Sequence, residues 1–378
     1  MEIKLKNTPE QVELIKAMGS KNPTVAREAT EAVAAFLGPV IKEVLLTAGT
    51  ASRIYRDIEF DEDSDPSIPL DLFYNEGTGY VTVWSQNMAG GLPTSQVEGV
   101  KELKFGTYRL DSAVSFNKKY ARKHRLDVVS KSIEKMVQEV LIKQERNAWA
   151  VILKALAEAS TKTVNTVPGA SANPVKHIVK SATENEFVLK DLNELIVRIK
   201  RINESFSGNT PVQPYSNGIT DLYVSPEIKA KIRAFAFNPV DTSAANTAQN
   251  LPDDLRMQIW NAGGMQSIFG INIVELVELG DGQKYNTLFN SFTTSQSVPG
   301  HNSGAWQSTD QILVGIDNTR GVFLRPVARQ AESGGTFQVL PDGQFDMYGS
   351  RVEKVGFYGF LEEGRLCLDA RAVAGVVV

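Results

Sequence analysis

Three histidines, His124, His177 and His301, and one cysteine, Cys367, are the strongest candidates for metal ligation or nucleophilic chemistry in this 378-residue chain. A structural zinc site needs about four nitrogen or sulfur ligands. The fold would have to gather all four of these residues to supply them, and no two histidines stand in an H-E-x-x-H pair. A single cysteine cannot form an intrachain disulfide, in keeping with synthesis in a reducing compartment. There is no G-x-x-x-x-G-K-[ST] phosphate loop, and Gly77-Thr78-Gly79 lacks both the third glycine and the following helix of a dinucleotide fingerprint. No G-x-S-x-G nucleophile elbow occurs. Asp61-Glu62-Asp63-Ser64-Asp65 starts like a calcium loop, but Pro66 and Leu72 stand where glycine and glutamate are required. That run reads as a solvated acidic loop. The expectation is a protein with no catalytic residues, no cofactor and no metal. Enzymes can hold their carboxylates outside any motif, so an enzyme of unknown type stands as the rival class.

Composition narrows the partners. The chain is 42% hydrophobic and 22% charged, with a formal charge of −4, which excludes a protein that binds nucleic acid over its whole body. Mean hydropathy is −0.18. No run of about 18 apolar residues is present, so no membrane partner is expected. Met1-Glu2-Ile3-Lys4-Leu5-Lys6 lacks the apolar core of a secretory signal. Charge is nevertheless unevenly placed. Residues 57–100 contain nine acids and no Lys or Arg, whereas residues 101–154 carry thirteen Lys/Arg against six Asp/Glu. The basic stretch is densest at Lys118, Lys119, Arg122, Lys123, His124 and Arg125. Such a patch can hold a nucleic-acid backbone or receive the acidic segment of a neighbouring copy. The second reading is adopted, which makes Lys118, Lys119, Arg122, Lys123 and Arg125 candidate assembly-interface residues.

The elements that carry these residues have an uneven order. Residues 1–56 read as a helical arm. Thr8-Pro9-Glu10 and Asn22-Pro23 are helix starts, the second followed by a stripe of Val25, Ala29, Val33 and Phe36, and Gly38-Pro39 interrupts it. Tyr80-Val81-Thr82-Val83-Trp84 is strongly strand-forming and pairs with 103–110 in a long two-stranded excursion. A lone hairpin is marginal in water, so this one should lie on a neighbouring subunit or, as an edge hairpin, on the chain's own core, and the sequence favours neither. Tyr80, Trp84 and Met88 are its candidate anchors, since aromatics and methionine are enriched in interface cores. Residues 107–167 contain neither Gly nor Pro. Leu126, Val129, Ile133, Met136, Val140, Ala148, Val151 and Ala155 recur there at helical steps, with Gln144 as the polar interruption. One helix over 127–159 follows, about 50 Å long. Beyond a polar link at 161–186, the pattern predicts a helix over 189–204, a buried strand at 221–224, a helix from Ser225-Pro226-Glu227, and strands at 271–274 and 312–316. A C-terminal hairpin follows, with arms 351–360 and 365–370 about a turn at 361–364. The apolar end Val376-Val377-Val378 should be packed.

A helical arm, an acidic extended hairpin, a long spine helix, a mixed α/β region and a closing hairpin, in that order, resemble the major capsid protein of tailed bacteriophages. The resemblance covers essentially the whole chain. Its better local matches are Asp221-Leu222-Tyr223-Val224-Ser225-Pro226-Glu227 and Val355-Gly356-Phe357-Tyr358-Gly359-Phe360 through Leu368-Asp369. It implies an α+β capsid fold with an N-terminal arm at 1–56, an extended loop at 57–112, a peripheral domain at 113–186 and 335–378, and an axial domain at 187–334. It further implies a structural, non-enzymatic protein that self-assembles as hexamers and pentamers into an icosahedral shell around double-stranded DNA. Such a protein is made in the host bacterial cytoplasm and ends in the virion. Implied partners are a portal protein, a separate scaffolding protein (56 residues ahead of the loop are too few for a built-in scaffold) and, as an option, a cement or decoration protein. Some relatives crosslink through a loop lysine. Residues 57–100 have none, and Lys101 and Lys104 stand near the loop's base as the remaining candidates, so a non-covalent shell is expected. An encapsulin-like nanocompartment, another virion component and a nucleic-acid-binding module resting on 118–125 are the alternatives.

Overall fold

The computed structural model describes residues 9–47, 49–61, 64, 67–69, 102–123, 126–161, 177–207, 218–237, 267–293, 298–301, 304–329, 337–342 and 353–378. The helices are α1 (Pro9–Met18), α2 (Pro23–Thr47), α3 (Lys118–Arg122), α4 (Leu126–Thr161), α5 (Leu189–Ser207), α6 (Pro226–Phe237) and α7 (Lys284–Thr293). The strands are β1 (Arg56–Asp61), β2 (Ser67–Pro69), β3 (Glu102–Lys104), β4 (Tyr108–Asn117), β5 (Ile178–Lys180), β6 (Asp221–Val224), β7 (Ser267–Ile268), β8 (Ile271–Glu275), β9 (Ile312–Ile316), β10 (Phe323–Arg329), β11 (Gln338–Asp342), β12 (Lys354–Glu363), β13 (Leu366–Cys367) and β14 (Val373–Val377). Helix and sheet are mixed throughout. The chain forms two units, one from residues 1–67, 104–148 and 323–366, the other from 68–103, 149–322 and 367–378.

In the first unit, α2 starts where Asn22 Oδ1 accepts from Thr24 N (3.2 Å) and Thr24 Oγ1 (2.8 Å), with Pro23 at the first helical position. Ala29, Val33, Leu37 and Ile41 recur at helical steps and are buried. The expected interruption at Gly38-Pro39 does not occur, since α2 runs through to Thr47. A mid-helix proline removes the bond to the carbonyl four residues earlier. That carbonyl belongs to Ala35, which is exposed, so water can take it. The N-terminal part of α4 places Val129, Ile133, Met136 and Val140 in the same core as α1, α2 and Phe116, Val355 and Phe357 of a mixed sheet. That sheet has the order β1-β10-β12-β11, with β4 also on β12 and β13 on β10. Strands β4 and β12 pair antiparallel from Lys354↔Asn117 to Glu363↔Tyr108.

The C-terminal hairpin is a correction. Strand β12 continues to Glu363 and the next short strand pairs with β10 instead. Both edges of β12 are already occupied, by β4 on one side and by β11 and β10 on the other. Gly364 N donates to Pro326 O at 2.8 Å, turning the chain away.

The second unit holds the C-terminal part of α4, where Trp149, Ile152, Leu153 and Leu156 are fully buried. The Trp149 ring meets Tyr223 edge-on at 4.8 Å and stacks on Tyr285 at 5.7 Å. The sheet order is β5-β14-β9-β6-β8-β7. Leu192, Leu195 and Ile199 of α5 and Ile228 and Ile232 of α6 pack with it in one core. Strand β14 lies between β5 and β9, and Val376, Val377 and Val378 are buried, as their apolar character requires. Strand β5 falls within the stretch read as a polar link, where three residues are too few to announce a strand. Strands β2 and β3 form a separate two-stranded ribbon. Tyr80, Trp84 and Met88 lie outside the described residues, as do His124 and Arg125.

Candidate assembly surface

The residues with catalytic potential are engaged structurally. His177 is buried at the start of β5, and its Nδ1 lies 2.8 Å from the carbonyl oxygen of Val373. Burial lowers its pKa, favouring the neutral ring. His301 Nε2 lies 3.0 Å from Ser181 Oγ, the one serine–histidine pairing with a nucleophile's spacing among the described residues. The proton inventory argues against nucleophilic activation. Ser181 Oγ donates to Thr183 O at 2.8 Å, so the ring must be the donor to Ser181. The same Nε2 lies 3.4 Å from Val377 O, which also requires a donor there. Asp310 Oδ1 accepts from the backbone N of His301 (3.4 Å) and Oδ2 from that of Gln307 (2.8 Å). Cys367 has its thiol pushed up to about 12, chiefly by burial, and holds its proton at neutral pH. No group of three or more His, Cys, Asp or Glu that could hold a metal occurs among the described residues. Of the acidic run, Asp61 offers its carbonyl oxygen to the N and Oγ of Ser64, both at 2.8 Å.

The basic cluster is built by a short helix. Asn117 ends β4 and caps α3, its Oδ1 accepting from Lys119 N at 2.9 Å. This turn presents Lys119 and Lys123 to solvent and half-buries Lys118. Arg122 differs from them. Its Nε donates to Gly19 O at 2.9 Å and its Nη1 stands 3.7 Å from Glu353. Arg122 therefore fastens the corner between α1 and α2, while Lys118, Lys119 and Lys123 share one turn of surface.

One site had no sequence signal. Glu363, fully buried, accepts from Tyr108 Oη (3.0 Å) and Gln144 Nε2 (3.0 Å) and lies 3.2 Å from Arg365 Nη2. The guanidinium of Arg365 sits over the Tyr55 ring at 4.7 Å. Burial first, then the Glu363 charge, push Tyr108 up to about 12. Its neighbour Glu362 accepts from Thr107 Oγ1. The polar interruption noted at Gln144 is thus a buried donor to a buried carboxylate. Its partners are scattered along the chain, so no local pattern could have joined them. Likewise Arg325, buried on β10, holds Asp57 of β1 through two hydrogen bonds at paired register positions.

No family profile and no curated protein matches the chain. In fold it is similar to solved structures. A structure of Microbacterium phage Oxtober96 aligns with 13% identity and TM-score 0.48, covering 88% of this chain and 91% of that one. The capsid structure of Cyanophage P-SCSP1u aligns with 12% identity and TM-score 0.47, covering 85% and 86%. The virus-like particle from Pyrococcus furiosus aligns with 13% identity and TM-score 0.41, covering 90% of this chain and 99% of that one.

Proposed function

We propose that this chain is a shell-building structural protein of the tailed-phage major capsid type, assembling as hexamers and pentamers into an icosahedral capsid around double-stranded DNA. The observation that carries the reading is the construction of the chain. One 36-residue helix supplies core residues to both units. Two N-terminal helices pack into the first unit's core. A two-stranded ribbon pairs 67–69 with 102–104, the residues that flank 70–101 in sequence. The order matches that of an arm, an extended loop, a spine and two domains, with boundaries proposed at 1–56, 57–112, 113–186 plus 335–378, and 187–334. The serine–histidine pair is set for structure and not for attack, which favours a non-enzymatic role.

In this reading the extended loop reaches a neighbouring subunit through Tyr80, Trp84 and Met88, and Lys118, Lys119 and Lys123 meet acidic surface of another copy. A separate scaffolding protein, a portal and an optional decoration protein complete the particle. The protein resides in the virion after synthesis in the host cytoplasm. Electron microscopy of the purified protein, with light scattering for mass, tests the proposal. Closed icosahedral shells are expected. A uniform monomer or small oligomer, even with a scaffolding protein co-expressed, would refute it.

A further inference from the structure

Helix α4 carries a second basic surface, distinct from the α3 cluster. Lys131, Lys135, Lys143 and Arg146 are all exposed. At 100° per residue they fall within one third of the helix circumference, bordering the face that buries Val129, Ile133, Met136 and Val140. From Lys131 to Arg146 the stripe extends about 22 Å. None of the four cations has an ion-pair partner among the described residues. The acids of this stretch are mostly directed elsewhere. Glu145 is committed to the backbone of Thr50 and Ala51, Glu134 is half-buried beside the stripe, and Glu139 is the one exposed carboxylate within it. Gln138 and Ile142 fill the surface between, both exposed.

We infer that this face of α4 is the surface that meets the packaged polyanion, binding the phosphate backbone of double-stranded DNA without reading sequence. The inference rests on the shell reading and names the surface that faces the genome. Four cations on a rigid helix, against one carboxylate, suit a regular line of phosphates. Their irregular spacing and the short Ile142 and Gln138 between them supply no base-reading set. Charge complementarity also fits an acidic segment of a second copy, and the test separates the two.

The variant replaces Lys131, Lys135, Lys143 and Arg146 with glutamine, and a companion replaces the three lysines with arginine to keep the charge. Circular dichroism checks that both fold. The probe is a fluorescent mixed-sequence DNA duplex titrated against unassembled subunits at several salt concentrations, with shell formation followed by electron microscopy. Wild-type affinity should fall roughly 100-fold between about 50 and 200 mM salt, and the glutamine variant should lower the log–log slope by about 3. The arginine companion should bind like wild type, and both variants should build shells. An unchanged DNA slope in shells that still form overturns the inference and leaves the shell reading intact. Lost assembly with unchanged DNA affinity also overturns it and reassigns the stripe to subunit contact. Absence of shells from the wild type strikes the shell reading itself.

Discussion

Removing the carboxylate of Glu363 strands a cation. The Arg365 side chain is 3% exposed and that of Glu363 is 0% exposed. Arg365 Nε and Nη1 have no hydrogen-bond partner, so Glu363 is the charge that balances the guanidinium. Taking one member from a buried ion pair costs about 3–5 kcal/mol, because the survivor stays desolvated. Glu363→Ala should show that loss in urea unfolding of the unassembled subunit, and a change below about 1 kcal/mol would contradict the buried pairing. Arg365→Met should also destabilise, since it leaves the fully buried Glu363 as the uncompensated charge with only Tyr108 and Gln144 donating to it. Tyr108 gives the same cluster a pH signature. Its folded pKa of about 12 lies above the ordinary value of 10.0. Between those values the unfolded chain releases the phenolic proton and the folded chain retains it, so stability present below pH 10 is lost as pH rises toward 12. Tyr108→Phe should flatten the fall of urea midpoints across that window, and an identical slope in both proteins would show that Tyr108 does not contribute to it.

At the level of elements, α4 acts on the chain through Glu145. Its carboxylate accepts from Thr50 N at 2.8 Å and Ala51 N at 3.1 Å, capping from a distance the short 3₁₀ turn at Ala51–Arg53 that leads from α2 into β1. Glu145→Ala should cost about 1–2 kcal/mol, as loss of a cap does, and should speed amide exchange at Thr50 and Ala51 before it affects α4. Exchange rising uniformly instead would mean that the carboxylate is not a local cap. The helix itself was legible because residues 107–167 lack Gly and Pro and hold one apolar stripe. The observed helix starts one residue before the expected 127 and ends two after the expected 159. Strands β6 and β9 were legible for a different reason, as short apolar runs suited to burial on both faces. The C-terminal pairing was not, because both edges of β12 are taken, one by β11 and the other by β4, which is distant in sequence. Arg122 had the appearance of one more surface cation, and only the position of Gly19 reveals its role. Of Glu363, Gln144 and Tyr108, Gln144 alone left a mark in the sequence, as a polar break in the apolar stripe of α4, and nothing local joins it to the other two.

For the whole molecule, the question is what would hold the proposed shell of such subunits together. The segment 57–100 has no lysine, so no ε-amine is available along it for an amide crosslink to a neighbour. In the proposed shell, cohesion would then rest on repeated non-covalent contacts, each contributing about 25 cal/mol per Å² of apolar area before the costs of association. Two measurements follow. Shells boiled in SDS should run as a single band at the 41.4 kDa chain mass, and a covalent ladder would refute the non-covalent shell. Trp84→Ala should act at the same scale. A buried tryptophan at an interface centre is commonly worth about 2 kcal/mol or more per contact. Every subunit of a closed shell repeats that contact, so a modest local loss becomes a failure to close, or a shell that falls apart on dilution. Subunits of Trp84→Ala should retain the wild-type circular dichroism spectrum while assembling poorly. If they close into shells as stable to dilution as the wild type, Trp84 packs within its own subunit and the anchor must be sought elsewhere.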